Sequence, residues 1–252
     1  MLRIRPESQG FAPRKRLSKP IRVNAGEALH APSHDPHRRH RRHLRLKIVT
    51  WRHPAPLWRR NPPIGFIRPC EPVLVDRPPA GPGWLHEVKH DGFRILVLKQ
   101  LELVDIWSRR GVDFTYRFPT IAKAVRALAC DAALIDGEAV VLRNDGRSDF
   151  RALLTKRGGA QAALVAFDLL RLEGEDLRLR PLEARREALT QLVAGVDGIL
   201  FSEALVAEGA VVFAKACDLG LEGIVSKRAG SFYRSGKSRN WVKTKNPNFV
   251  RT

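Results

Sequence analysis

The sequence predicts an α+β fold, with strands and helices mixed along the chain and no regular β-α-β rhythm. Three observations lead there. Residues 84–89, 93–99 and 103–107 are short apolar runs separated by turn or polar residues, as strands are. Residues 118–129 then carry Ile121, Val125 and Leu128 at helical spacing. Strand-like runs return after each later helical pattern, and the chain has no internal repeat.

Taken in order, residues 1–60 lack sustained periodicity. Their low-complexity run His34-Asp35-Pro36-His37-Arg38-Arg39-His40-Arg41-Arg42-His43 cannot bury enough apolar surface to offset the entropy of ordering. They read as a basic, disordered tail, and residues 61–252 as the folded domain. A start codon chosen too far upstream is the competing reading of the tail. Order is expected from Gly65-Phe66-Ile67, with residues 76–83 as a turn-rich lead-in. After the three strands and the helix, residues 132–142 form a strand interrupted at Asp136-Gly137, and residues 164–169 form another. Pro181 opens a helix with Leu182, Leu189 and Leu192 on one side. A second helix spans residues 209–219. Strands at 223–227 and 241–245 flank a Ser/Gly/Arg-rich loop, 228–240.

The formal net charge is +19, unevenly spread. Residues 1–60 hold 16 Lys+Arg against 3 Asp+Glu, and residues 61–252 hold 29 against 23. A strongly basic tail on a mildly basic domain points to nucleic acid, with an unselected tail as the alternative. The three cysteines, Cys70, Cys130 and Cys217, are far apart, which argues against a zinc site or a disulfide framework. No apolar stretch approaches the roughly 20 residues that span a bilayer. The N-terminus lacks the apolar core of a secretory signal.

The run Glu87-Val88-Lys89-His90-Asp91-Gly92-Phe93-Arg94 carries the chemistry. A lysine attacks only after losing its proton. In an extended segment Glu87, Lys89 and Asp91 share a face. Two carboxylates beside an amine favour its charged form, and a bound divalent cation reverses that logic. A lysine nucleophile here therefore implies a metal. Glu138, among Ala, Val and Leu, either faces solvent or has a cation or hydroxyl partner. Lys243 and Lys245 share a strand face, either around an anion or on a solvated edge. Arg228, Arg234, Lys237 and Arg239, with Phe232 and Tyr233 interleaved, suit a nucleic-acid backbone.

Five motifs in order carry a family resemblance: the Lys89 run, Ile135-Asp136-Gly137-Glu138, Phe167-Asp168, Glu222-Gly223-Ile224-Val225-Ser226-Lys227 and Trp241-Val242-Lys243-Thr244-Lys245. Together they resemble the nucleotidyltransferase motifs of ATP-dependent DNA ligases, most like the ligase module of bacterial ligase D. The resemblance implies an ATP-grasp-like nucleotidyltransferase domain with mixed and antiparallel sheets flanked by helices. It implies ATP and Mg²⁺ or Mn²⁺ as cofactors, and Lys89 as the nucleophile that forms lysyl-AMP. Glu87, Arg94, Arg109, Glu138, Phe167, Lys227, Lys243 and Lys245 would bind the nucleotide, and Glu138 and Glu222 would face the metal. Phe167 would stack on adenine or simply pack in the core, whereas Asp168 reads as structural. The implied partner is nicked or broken duplex DNA, the setting bacterial end joining in the cytoplasm near the nucleoid, the chain monomeric and free of membrane.

Family ligases continue into an OB-fold, and the seven residues after Lys245 are too few for such a barrel. A separate OB-fold or end-binding protein is therefore an expected partner, with slow, salt-sensitive sealing expected of this chain by itself. Two other functions compete. One is an RNA ligase or capping-type nucleotidyltransferase; the other is a non-catalytic nucleic-acid-binding remnant.

Overall fold

The computed structural model describes residues 65–251. The expected tail, residues 1–60, lies outside the described residues. Two sheets organise the domain. The first contains β1 (Cys70–Leu74), β2 (Trp84–Val88), β9 (Ala204–Leu205), β10 (Gly223–Arg228) and β11 (Gly236–Lys245), ordered β1-β11-β10-β2-β9. The second contains β3 (Phe93–Gln100), β4 (Leu103–Ser108), β5 (Ala132–Val140), β6 (Ala163–Leu172) and β7 (Glu175–Asp176), ordered β4-β3-β5-β6-β7, with β8 (Ile199–Phe201) alongside β6. The β1–β11 and β6–β8 pairs are parallel and the others antiparallel. The fold is thus α+β with mixed sheets, as expected.

The second sheet is the middle layer, which explains the unbroken run Ile95-Leu96-Val97-Leu98 in β3. Alternate residues of this run serve two cores. Ile95 and Val97 pack with α1 (Pro119–Arg126) and α4 (Leu182–Val193) on one face. Leu96 and Leu98 join Leu134 and Leu170 against Cys70, Tyr233 and Trp241, the contribution of the first sheet and its preceding loop. Burying a side chain of this size contributes about 1.5–3 kcal/mol, so this two-faced strand anchors both layers. The helix α5 (Gly209–Asp218) covers the first sheet, where Val212 and Ala216 meet Ile224. Among the described residues no helix is long and apolar enough to cross a membrane.

Several boundaries differ for visible reasons. Helix α1 ends at Arg126 rather than at residue 129, because Lys99 Nζ takes the carbonyls of Arg126 and Leu128, both at 2.7 Å, and closes the helix end. Strand β11 begins at Gly236, so the C-terminal part of the expected loop 228–240 is strand, paired with β1 from Cys70↔Gly236 onward. Helices α2 (Phe150–Leu154) and α3 (Lys156–Ala160) are single turns without a periodic stripe. The side chains of Asp149 and Thr155 cap them by accepting from Ala152 N and Gly158 N. In α4, Val193 joins Leu182 and Leu189 in the core, whereas Leu192 is half-buried.

Candidate active site

A cleft of about 750 Å³ opens between the sheets. The first sheet supplies Lys89 at the end of β2, Lys227 on β10, and Trp241 and Lys243 on β11. The second supplies Arg94, Glu138 and Phe167, with Arg109 from the turn after β4. The structure therefore brings together residues spread over more than 150 positions of sequence.

Lys89 follows the last residue of β2 and donates its backbone N–H to Gly223 O at 2.9 Å. Its Nζ donates to Glu222 Oε2 at 2.6 Å. Glu222, 5% exposed, also pairs with Lys245 at 3.3 Å. The carboxylate on Lys89 is thus Glu222, not the expected pair Glu87 and Asp91. Glu87 and Lys89 do line the same cleft, Asp91 past the end of β2 does not, and both flanking acids have stronger claimants. Glu87 pairs with Arg186 at 2.5 Å and Lys227 at 2.7 Å, and accepts from Ser202 Oγ at 3.1 Å. Asp91 pairs with Arg251.

Arg94 reaches the cleft, but Asp136 holds its Nε and Nη2 at 2.7 and 2.6 Å. Its guanidinium lies 4.9 Å from the Phe167 ring centroid. Phe167 packs edge-on against Trp241 at 6.2 Å in the second core, as the core reading expects, and it also lines the cleft. Asp168 is structural, clamped by Arg185 at 2.7 and 2.9 Å with both side chains fully buried.

The ionisable groups fall into two kinds. Burial raises the Glu138 carboxyl to about 7, partly countered by Lys89 and Arg94. Burial also lowers Lys227, opposed by Glu87, and lowers His90 to about 4 with help from Lys89. Lys243 is lowered by desolvation and then by Lys89, Lys245 and Arg109. Like charges thus converge on a partly desolvated amine, a repulsion that a bound anion would relieve. Among the described residues, no group of three or more His, Cys, Asp or Glu is placed to hold a metal.

Arg228, Arg234, Lys237 and Arg239 are all exposed, and Lys237 lines the cleft. Phe232 is also exposed, but Tyr233 is not the surface aromatic expected beside it. Its hydroxyl donates to Asp136 at 2.6 Å and accepts from Cys70 N at 2.9 Å, tying this loop to both sheets. Arg186, Ser202 and Arg251 are site neighbours that sequence reasoning missed, and Asp136 and Tyr233 were singled out without this pairing. For Arg186 a signal was present, since it falls between Leu182 and Leu189 on the buried stripe of α4.

Residues 78–245 match the family model described as ATP dependent DNA ligase domain. Over 191 residues the chain is 40% identical to the multifunctional non-homologous end joining protein LigD of Pseudomonas aeruginosa, covering 74% of this chain and 23% of that protein. It is 33% identical over 176 residues to a DNA ligase of Pyrobaculum islandicum, covering 63% of this chain and 30% of that one. A solved structure, mycobacterial DNA ligase D complexed with ATP and MES, superposes with a TM-score of 0.62 at 31% identity, over 71% of this chain and 60% of the other. The chain spans less than a quarter of the length of the Pseudomonas relative.

Proposed function

The chain belongs to the ATP-dependent DNA ligase family, and from that premise we propose that its cleft binds ATP and that Lys89 takes the adenylyl group. The amine of Lys89 attacks the α-phosphorus; a P–N bond forms, the bond to the bridging oxygen breaks, and pyrophosphate leaves as the amine gives up its proton. AMP then passes to a 5′-phosphate of nicked or broken DNA, and a 3′-hydroxyl displaces it. The observation that carries this reading is Lys89 Nζ on the cleft wall, 2.6 Å from Glu222.

The remaining roles follow from placement. Lys243 and Arg109 line the cleft and would gather positive charge for the phosphates, with Lys245 beside them through Glu222. Phe167 would meet the base at the cleft wall, where Arg94, fixed by Asp136, and Lys227 lie 4.9 and 4.7 Å from its ring centroid. Glu87 is committed to Arg186 and Lys227, so its part is to shape the base end of the cleft together with Lys227. Arg228, Arg234, Lys237 and Arg239 would track the DNA backbone. The charge of residues 1–60 would add sequence-independent attraction.

Glu138 and Glu222 fit a Mg²⁺ or Mn²⁺ ion, because such ions are held by one or two carboxylates together with substrate phosphates rather than by a full protein cage. When bound, the ion would neutralise charge developing on the transferring group. Glu222, turned toward it, would release Lys89 from its ion pair. The relatives' names point to DNA repair by non-homologous end joining as the cellular setting.

Intact mass measurement after incubation with ATP and Mn²⁺ tests the reading, with GTP as the comparison. One added AMP is expected with ATP, and none in Lys89→Arg, whose guanidinium does not deprotonate. Full adduct yield in that variant would refute the assignment of Lys89.

A further inference from the structure

The loop that carries Lys89 is tied to a distant part of the chain. Residues 89–92 connect β2 to β3. Two restraints on this loop lie within the sheets: the Lys89 N–H bond to Gly223, and the approach of Gly92 to β5, where an added Cβ would fall 2.2 Å from Ala139 O. The third comes from beyond β11. There the chain turns back across the start of β10, with Asn246 N donating to Glu222 O at 2.9 Å and its Nδ2 donating to Leu221 O at 3.0 Å. Arg251 then closes on Asp91, Nε to Oδ2 at 2.9 Å and Nη2 to Oδ1 at 2.6 Å. The same guanidinium lies 4.4 Å over the Phe150 ring, and Phe150 packs at 5.3 Å on Phe93, the residue after Gly92.

The Asp91 side chain is only 4% exposed, and Arg251 is its ion-pair partner among the described residues. A carboxylate this buried is costly without a partner. If the guanidinium lets go, Asp91 must turn toward water, and Lys89 lies two residues away. A cavity of about 530 Å³, lined by Lys89, Glu222, Phe249 and Val250, leaves room for that movement. We propose that Arg251 is a positioning residue: by clasping Asp91 and covering Phe150 it fixes the nucleophile loop, and hence the Lys89 amine relative to Glu222. The proposal rests on Lys89 being the adenylated residue, and it acts through the loop rather than on the nucleotide.

Arg251→Ala, Arg251→Lys, Asp91→Asn and the Arg251→Ala/Asp91→Asn double variant test it in the full chain, with thermal unfolding to show that each is folded. At saturating ATP the single-turnover adenylation rate of Arg251→Ala should fall by roughly 10- to 100-fold, the scale of an ångström-sized misplacement. The ATP concentration for half-saturation should hardly change. Arg251→Lys should fall between, since a point charge cannot replace the two-pronged grip. The double variant should be no worse than the poorer single one, because both break the same contact. A second readout needs no nucleotide: acylation of lysines by an amine-reactive ester, followed by peptide mass measurement. Labelling of Lys89 relative to the exposed Lys123 and Lys215 should rise several-fold in Arg251→Ala. If the wild-type chain forms no adduct, the functional reading of Lys89 fails while the labelling still decides the clasp. Wild-type Lys89 labelling or wild-type adenylation in a folded Arg251→Ala would overturn the proposal. Should Arg251→Ala fail to fold, the same readouts on Arg251→Lys decide it.

Discussion

Glu87, Arg186 and Lys227 meet at the buried end of the cleft with side chains 3%, 7% and 1% exposed. Lys89 and Lys245, which share Glu222 nearby, are 22% and 50% exposed. The buried end is closed: two cations surround one carboxylate, Ser202 O accepts from Arg186 Nη2, and Phe167 O accepts from Lys227. The exposed end is open: Lys89, Lys243, Lys245 and Arg109 outnumber Glu222. Around one cleft, then, one group of charges satisfies itself, and another leaves positive charge in excess. Charges that satisfy one another in a dry site set geometry. Charges left in excess beside water cost little until a ligand draws them together.

The sharpest way to break this contrast is to remove the shared acid at the closed end. Glu87→Ala leaves Arg186 and Lys227 buried without their carboxylate. It should cost about 3–5 kcal/mol of folding free energy, the usual result of breaking a buried pair from one side. Lys245→Ala at the open end should change stability by less than about 1 kcal/mol. Urea unfolding of both variants measures the difference, and equal losses would show that the two ends are not distinct.

A smaller effect sharpens the comparison through pH. Glu138 is raised to about 7 from an ordinary value near 4.5, with desolvation the leading cause. A carboxyl raised on folding contributes stability that is fully present below the unfolded value and is lost as pH rises through the folded one. Glu138 should therefore stabilise the fold below about 4.5 and cease to do so above about 7. An ion that uses this carboxylate must displace its proton. The metal concentration for half-maximal adenylation should then rise by roughly tenfold for each pH unit below about 7, one proton competing with one ion. Metal titrations across that range check it, with Glu138→Gln as the reference that lacks the step. A requirement flat with pH would place the ion elsewhere.

The parts of this arrangement that the sequence displayed are the local ones. Strands β3, β4 and β10 are legible as apolar runs, and α4 and α5 as periodic stripes opened by proline or glycine. The short motifs mark Lys89, Glu138, Glu222 and Lys243 individually. What the sequence hides is pairing at a distance. Lys89 finds Glu222 across 133 positions, and Glu87 finds Arg186 across 99. Strand alternation offered Glu87 and Asp91 as the partners of Lys89; Glu87 does share its cleft, but both acids are claimed by arginines far away in sequence. Tyr233 lies among Ser, Gly and Arg, a setting that reads as surface, yet its hydroxyl reaches buried Asp136 because β1 and β5 converge there. Lys99 looks like a strand-end charge, and it is buried because the carbonyls of Arg126, at the end of α1, and Leu128, just past it, require a donor.

The smallest expected effects lie outside the cleft, where Arg234 and Arg239 extend the open, cationic character onto the exposed loop and strand. Neither has an ion-pair partner among the described residues, and both are exposed. Arg234→Ala and Arg239→Ala should each leave stability within about 0.5 kcal/mol of the parent, as surface substitutions do. Self-adenylation should also be unchanged, since neither residue lines the cleft. DNA binding is where they should differ. A side chain that neutralises a phosphate releases a counterion, so its loss lowers the slope of log affinity against log salt by about one. The loss should be similar for unrelated DNA sequences, because phosphate contacts carry no base information. Binding titrations at several salt concentrations, on two nicked duplexes of different sequence, give both quantities. A slope unchanged by either substitution would confine the open face of this protein to the cleft mouth and leave Lys237, which lines it, as the link to DNA.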